Sequence, residues 1–248
     1  MASQILKSKQ IALAKVHPSG VVDGAFAYNN FLYEGGVKMN IQKLQDAEAQ
    51  FFARYPGGFE DPALVEIVKK HKVEKMTKLA QECFAQEKFN DIDQIVTAMN
   101  KVVTQSSLVS IFEKPKFRDM TKVLDRADKE YLALGLQSLL YGDEEVQSRG
   151  FLEMASVLAD YKIAKWPLLT VYGVYFRPAE EVFIKPTTVK AVIDYFELEG
   201  LKYNSSPTFE FYQAYRQQFL ELKAKTKLLT HLENGAFSGF LMMSMAEL

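Results

Sequence analysis

A nearly uncharged stretch, Lys165-Trp-Pro-Leu-Leu-Thr-Val-Tyr-Gly-Val-Tyr-Phe-Arg-Pro178, interrupts a succession of amphipathic segments. A run of this composition in a soluble chain belongs inside the fold. So short an apolar run suits a buried strand or a buried helix. No second strong strand is available to pair with it, so helix is the expectation. Trp166, Leu168, Leu169, Tyr172 and Phe176 are then core residues, each forgoing on the order of 2 kcal/mol if left in water.

The rest of the chain reads as helix after helix. Ile41, Leu44, Phe51, Phe52 and Tyr55 recur at helical spacing before Pro56-Gly57-Gly58 breaks the pattern. Asp61-Pro62 is a start signal, a capping carboxylate followed by a residue with no amide hydrogen to satisfy. The helix it opens is expected to run to about Lys88, with Val65, Val68, Met76, Leu79 and Cys83 on its buried stripe. Ile92, Ile95, Val96, Met99, Val102 and Val103 give the cleanest period in the chain. After Pro115, Phe117 to Leu140 continues as one pattern up to Gly142. Asp143-Glu144-Glu145 places negative charge at the start of the next helix. Two more helices follow, one through Val189, Val192, Ile193 and Phe196, the other from Ser206-Pro207 through Phe211, Tyr215, Phe219 and Leu222. Ile11–Val16 and Val21–Tyr28, flanking His17-Pro18-Ser19-Gly20, suit a small hairpin. The expected fold is mainly α, a multi-helix globular bundle with an N-terminal β-hairpin, formed as one domain over 1–248 with a subdivision point near 162–166.

The chain is 248 residues long, enough to bury a sizeable core without staples. Hydrophobic residues make up 48% and charged residues 25%, and 30 basic against 31 acidic groups leave a net charge of −1, so no global attraction to nucleic acid is built in. One cysteine, Cys83, rules out an intramolecular disulfide framework. No apolar run approaches the ~20 residues that span a bilayer, and the first residues lack a signal-peptide layout. A cytoplasmic protein without a membrane partner is the expectation.

Familiar chemical signatures do not occur. Three histidines, His17, His71 and His231, lie far apart, and with one cysteine they supply no structural zinc set. Nucleotide-binding and nucleophile-elbow glycine motifs are missing. Gly35-Gly36 and Gly57-Gly58 read as turns rather than phosphate cradles. Cys83 sits on an apolar stripe and reads as an inert thiol. Neither a cofactor nor a metal is expected, and no acid–base pair is singled out among the acidic residues.

Two basic stretches carry more information. Lys69, Lys72, Lys75 and Lys78 recur every third residue, and Lys114, Lys116, Arg118, Lys122, Arg126 and Lys129 form a second surface. Each is a solvated face paired with nearby acids, or a contact for a phosphate backbone, which needs charge but no motif. Lys185-Pro186-Thr187-Thr188, with Lys190 beyond, opens a helix whose free amides and hydroxyls form an anion-binding end if neither threonine merely caps it. Helix-turn-helix is excluded because Glu197–Ser205 is far longer than that motif's roughly 3–4-residue turn. At the C-terminus, Phe237, Phe240, Met242 and Met243 crowd a segment that must dock on its own chain or on a second copy.

Tyr55-Pro-Gly-Gly-Phe-Glu-Asp-Pro62, Lys165-Trp-Pro167, Phe183-Ile-Lys-Pro186 and Ser206-Pro-Thr-Phe-Glu-Phe-Tyr212 together resemble a group of helical bacterial proteins of uncharacterised function. The resemblance covers most of the chain and implies one architectural unit, without activity or cofactor. Phe183–Lys190 ahead of a helix is also distantly similar to the helical core of DNA glycosylases, without their hairpin glycines and catalytic acid. The leading functional expectation is a non-catalytic binding protein that associates with nucleic acid through basic helix faces. A homo-oligomeric interaction module built on the C-terminal segment, and an enzyme with an unrecognised acid–base pair, are the alternatives.

Overall fold

The first helix, α1 (Ile41–Arg54), opens where the side chain of Asn40 accepts the amide of Lys43 at 3.0 Å. The structure, a computed structural model, describes residues 38–245. The expected hairpin at 11–28, His17 and Gly35-Gly36 lie outside the described residues. Every regular element among the described residues is helical.

Pro56-Gly57-Gly58 ends α1 as its composition requires: Gly58 takes φ +60 and its amide reaches the carbonyl of Tyr55 at 2.8 Å. Asp61 then caps α2 (Pro62–His71) by accepting the amide of Ala63 at 3.0 Å. The single long helix expected from here to Lys88 is instead two. Lys72 adopts a left-handed conformation, φ 49 and ψ 37, and α3 (Val73–Cys83) sets off in a new direction. The bend lets Met76 and Ala80 of α3 pack into the core, while α2 buries Leu64 alone. Val68, expected inside, is therefore 40% exposed, and Leu79 and Cys83 are only half-buried.

α4 (Ile92–Gln105) follows its periodicity closely, burying Ile95, Val96, Met99, Val102 and Val103 behind an Asp91 cap. The pattern from Phe117 to Leu140 divides between α5 (Glu113–Val123) and α6 (Arg126–Tyr141). Asp125 accepts the amide of Asp128 at 2.8 Å and starts the second of them. α6 and α7 (Glu144–Asp160) form an antiparallel hairpin across Gly142-Asp143. They approach closely at two glycines: a Cβ on Gly150 would lie 2.5 Å from the Gly135 carbonyl oxygen, and one on Gly135 would lie 2.9 Å from that of Gly150.

The uncharged stretch forms α8 (Trp166–Phe176), buried on nearly every side and packed against α3, α4, α6 and α7. Pro167 suits its first turn, and Trp166, 1% exposed, donates its indole N–H to the Asn204 carbonyl at 2.8 Å. Lys162, at φ 60, turns the chain between α7 and α8. Because α8 packs back onto helices that precede this turn, 162–166 lies within one compact unit.

α9 (Pro186–Tyr195), α10 (Phe209–Ala224) and α11 (Asn234–Met245) complete the fold. α10 starts at a Thr208 cap, just beyond the Ser206-Pro207 signal. A continuous run of rings joins the C-terminal half: Phe151–Trp166, Trp166–Phe211, Phe211–Tyr215, Tyr215–Phe219, Phe219–Phe237 and Phe237–Phe240 all have centroids between 5.2 and 6.2 Å apart. Phe240 extends it edge-on to Phe51 of α1 at 5.4 Å. Polar ties fix the same closure. Buried Glu48 accepts the amides of Lys227 and Leu228, at 2.9 and 2.7 Å, and Asn234 donates to the carbonyls of Ala179 and Glu181 while accepting Lys223.

Candidate functional site

Two places concentrate charge, and they differ in kind. The first is internal. Glu181, 4% exposed, accepts both Arg177 and Arg216, the latter at 2.8 Å, and the Tyr212 hydroxyl donates to its other oxygen. Tyr212 and Arg216 stand one turn apart on α10, so a single helix face supplies two donors. Burial, reinforced by the charge of Glu181, holds the Tyr212 hydroxyl protonated well above the ordinary tyrosine range. Burial alone would lower Arg216, but the surrounding negative charge, that of Glu181 foremost, more than offsets it and its pKa is raised. Tyr212 thus keeps the proton it donates, and Arg216 the charge it brings to Glu181. The adjoining cavity, lined by Tyr172, Gln147 and Thr170 among others, has a volume of about 20 Å³, room for a water and not for a substrate. The cluster is an internal lock.

The second place is a surface. His71, at the end of α2, places Nδ1 3.0 Å from the Ser107 hydroxyl, joining α2 to the loop between α4 and α5. That loop is pinned from beneath: Ser106 pairs with the Tyr175 hydroxyl at 2.9 Å and accepts the amide of Leu108, and Val109 is buried. Ser110 then caps the turn into α5. What stays above the surface is Ile111 and Phe112, and beyond them Lys116, with Lys114 half-buried between. Lys165, just before α8, and Lys116 both act on the Glu113 carboxyl. Burial pushes that carboxyl up against their pull.

Among these lysines the ion pairs are unevenly spread. Lys69 binds Glu66 at 3.0 Å and Lys78 binds Glu74 at 2.7 Å. On the second basic stretch, Arg118 and Lys122 share Asp119, while Arg126 and Lys129 share Asp93. Lys70, Lys72, Lys75, Lys114 and Lys116 form no ion pair among the described residues. Lys69, Lys72, Lys75 and Lys78, which recur every third residue, do not lie along one helix, because the left-handed turn at Lys72 divides them. All four are nonetheless exposed.

The other sequence candidates lie elsewhere. Lys185, not Thr187 or Thr188, occupies the cap position of α9 and makes no capping hydrogen bond; Thr188 is turned inward at 8% exposure. Lys190 lies over the Tyr203 ring at 4.8 Å. No hydrogen bond or ion pair joins this group to Lys69–Lys78 among the described residues. Phe237 and Phe240 are buried in the chain's own core; Met243 is half-buried and Met242 45% exposed.

Among the described residues no group of three or more His, Cys, Asp and Glu converges to hold a metal ion, and no helix is long and apolar enough to cross a membrane. No protein-family model, curated protein or solved structure gives a significant match to the chain. Neither resemblance noted in the sequence therefore bears on the reading of this surface.

Proposed function

We propose that the protein binds phosphate-bearing polyanions through the surface where the end of α2, the 106–112 loop and the start of α5 meet. The observation that carries this reading is the set of lysines without an ion pair that the His71–Ser107 contact gathers there, all exposed but the half-buried Lys114, while neighbouring basic residues are neutralised in local pairs. A chain of net charge −1 then keeps a local excess of positive charge at one place. Binding of this kind takes its free energy from released counterions and requires neither a motif nor base contacts, which suits nucleic acid or any other dense array of phosphates.

The test is binding of the full-length protein to heparin and to a short DNA duplex, followed by anisotropy over a range of salt. Lys72→Glu with Lys75→Glu is expected to weaken binding by about tenfold or more and to flatten the log–log salt slope by roughly 2. Lys190→Glu is expected to leave both unchanged. Absence of binding to either polyanion at low salt would remove the reading.

A further inference from the structure

Charge is only half of what this surface displays. Of the ten residues of α2, Leu64 alone is buried, and Ile67 and Val68 stand 50% and 40% exposed directly before Lys69-Lys70-His71-Lys72. Across the His71–Ser107 contact, Ile111 and Phe112 are 72% and 76% exposed, the most exposed large hydrophobic side chains among the described residues. Four apolar side chains thus protrude among unpaired lysines on two segments that touch.

A phosphate backbone would satisfy the lysines but would leave Ile67, Val68, Ile111 and Phe112 in water. A bilayer bearing anionic lipids satisfies both sets. Headgroup phosphates meet the lysines at the plane of the surface, and the hydrocarbon side chains enter the boundary just beneath it. Phe112, at the loop tip, is of the aromatic type that favours this depth. A helix that buries one residue against its own protein has a face free to lie in the interface. We infer that the α2 and 106–112 surface docks the protein peripherally on an anionic membrane. This rests on the polyanion reading above and names its partner. It requires no spanning helix.

The experiment is co-sedimentation of the full-length protein with vesicles of phosphatidylcholine, with and without about one-third phosphatidylserine, across a salt series. Strong binding to the anionic vesicles alone is expected. Ile111→Ser with Phe112→Ser, both at exposed positions, should weaken it roughly tenfold with the salt slope unchanged. Lys70→Glu with Lys72→Glu should remove it and flatten the slope. In Phe112→Trp, the added indole should shift its emission to the blue on anionic vesicles, against the fixed background of buried Trp166. If heparin or duplex binds while anionic vesicles do not, or if the serine pair leaves vesicle binding unchanged, the membrane inference fails and the polyanion reading stands. If nothing anionic binds, both fall. If light scattering shows the full chain self-associating and the serine pair abolishing it, the apolar tip serves a second copy and the inference is overturned.

Discussion

Gly150 and Gly135 show most directly how single atoms set this fold. Each lacks the Cβ that would collide with the other's carbonyl, so Gly150→Ala must push α6 and α7 apart. It is expected to cost on the order of 1–3 kcal/mol in chemical denaturation. Gly235, with nothing within 4 Å of its would-be Cβ in the first turn of α11, is the opposite case. Gly235→Ala should be neutral or stabilise by up to about 1 kcal/mol. At Glu181, removal of the carboxylate leaves Arg177 and Arg216 facing each other in a largely buried site. Glu181→Ala should therefore destabilise by about 3–5 kcal/mol, and Tyr212→Phe by about 1–3 kcal/mol. Equal stability of the Glu181 variant and the parent would show that the cluster is not a lock. Little of this was readable from the chain. Glu180-Glu181 follows Pro178 as an ordinary polar turn, and two of the three partners of Glu181, Tyr212 and Arg216, lie far along the chain on α10. The available signal was that Tyr212 and Arg216 share a face with the apolar residues of α10. Glu48 gave a similar sign, standing on the stripe of Leu44, Ala47 and Phe51.

At the scale of elements, periodicity gave correct helices and misjudged their joints. α4 and α8 were legible because burial on one face, or on all, leaves a compositional trace that local chemistry does not override. The break at Lys72 was hidden because neither glycine nor proline marks it, and a lysine in the left-handed region is held there by packing on either side. The division at Leu124-Asp125 was hidden differently: the apolar period runs straight across it, and only Asp125 three residues before Asp128 betrays a new cap. Lys72→Gly removes the left-handed strain and should raise stability by about 0.5–1 kcal/mol, measured by thermal denaturation. A loss of stability would mean that the lysine side chain itself holds the bend. The surface proposed for binding depends on this bend, which turns α2 off the line of α3 and leaves Ile67 and Val68 outside.

The whole molecule closes through its aromatic interior, and that has a consequence at high pH. Tyr172, Tyr212 and Tyr215 are buried, and burial raises all three hydroxyls above the ordinary tyrosine range. The folded state therefore keeps protons that the unfolded chain releases from about pH 10 upward. Stability attributable to these groups is fully present below that pH and falls as pH rises through and beyond it. Denaturant midpoints are expected to decline between neutral and strongly alkaline pH, with a shallower decline in Tyr215→Phe. A midpoint independent of pH would contradict the burial of these rings.

The most direct test of the functional reading is a map of which lysines a polyanion covers. Acetylation rates of individual lysines, read by mass spectrometry on the full-length protein with and without heparin, supply it. Lys70, Lys72, Lys75, Lys114 and Lys116 are expected to be protected together, while Lys101 and Lys190 react at unchanged rates. Protection centred on Lys185 and Lys190, or spread evenly over all lysines, would contradict the assignment of the surface.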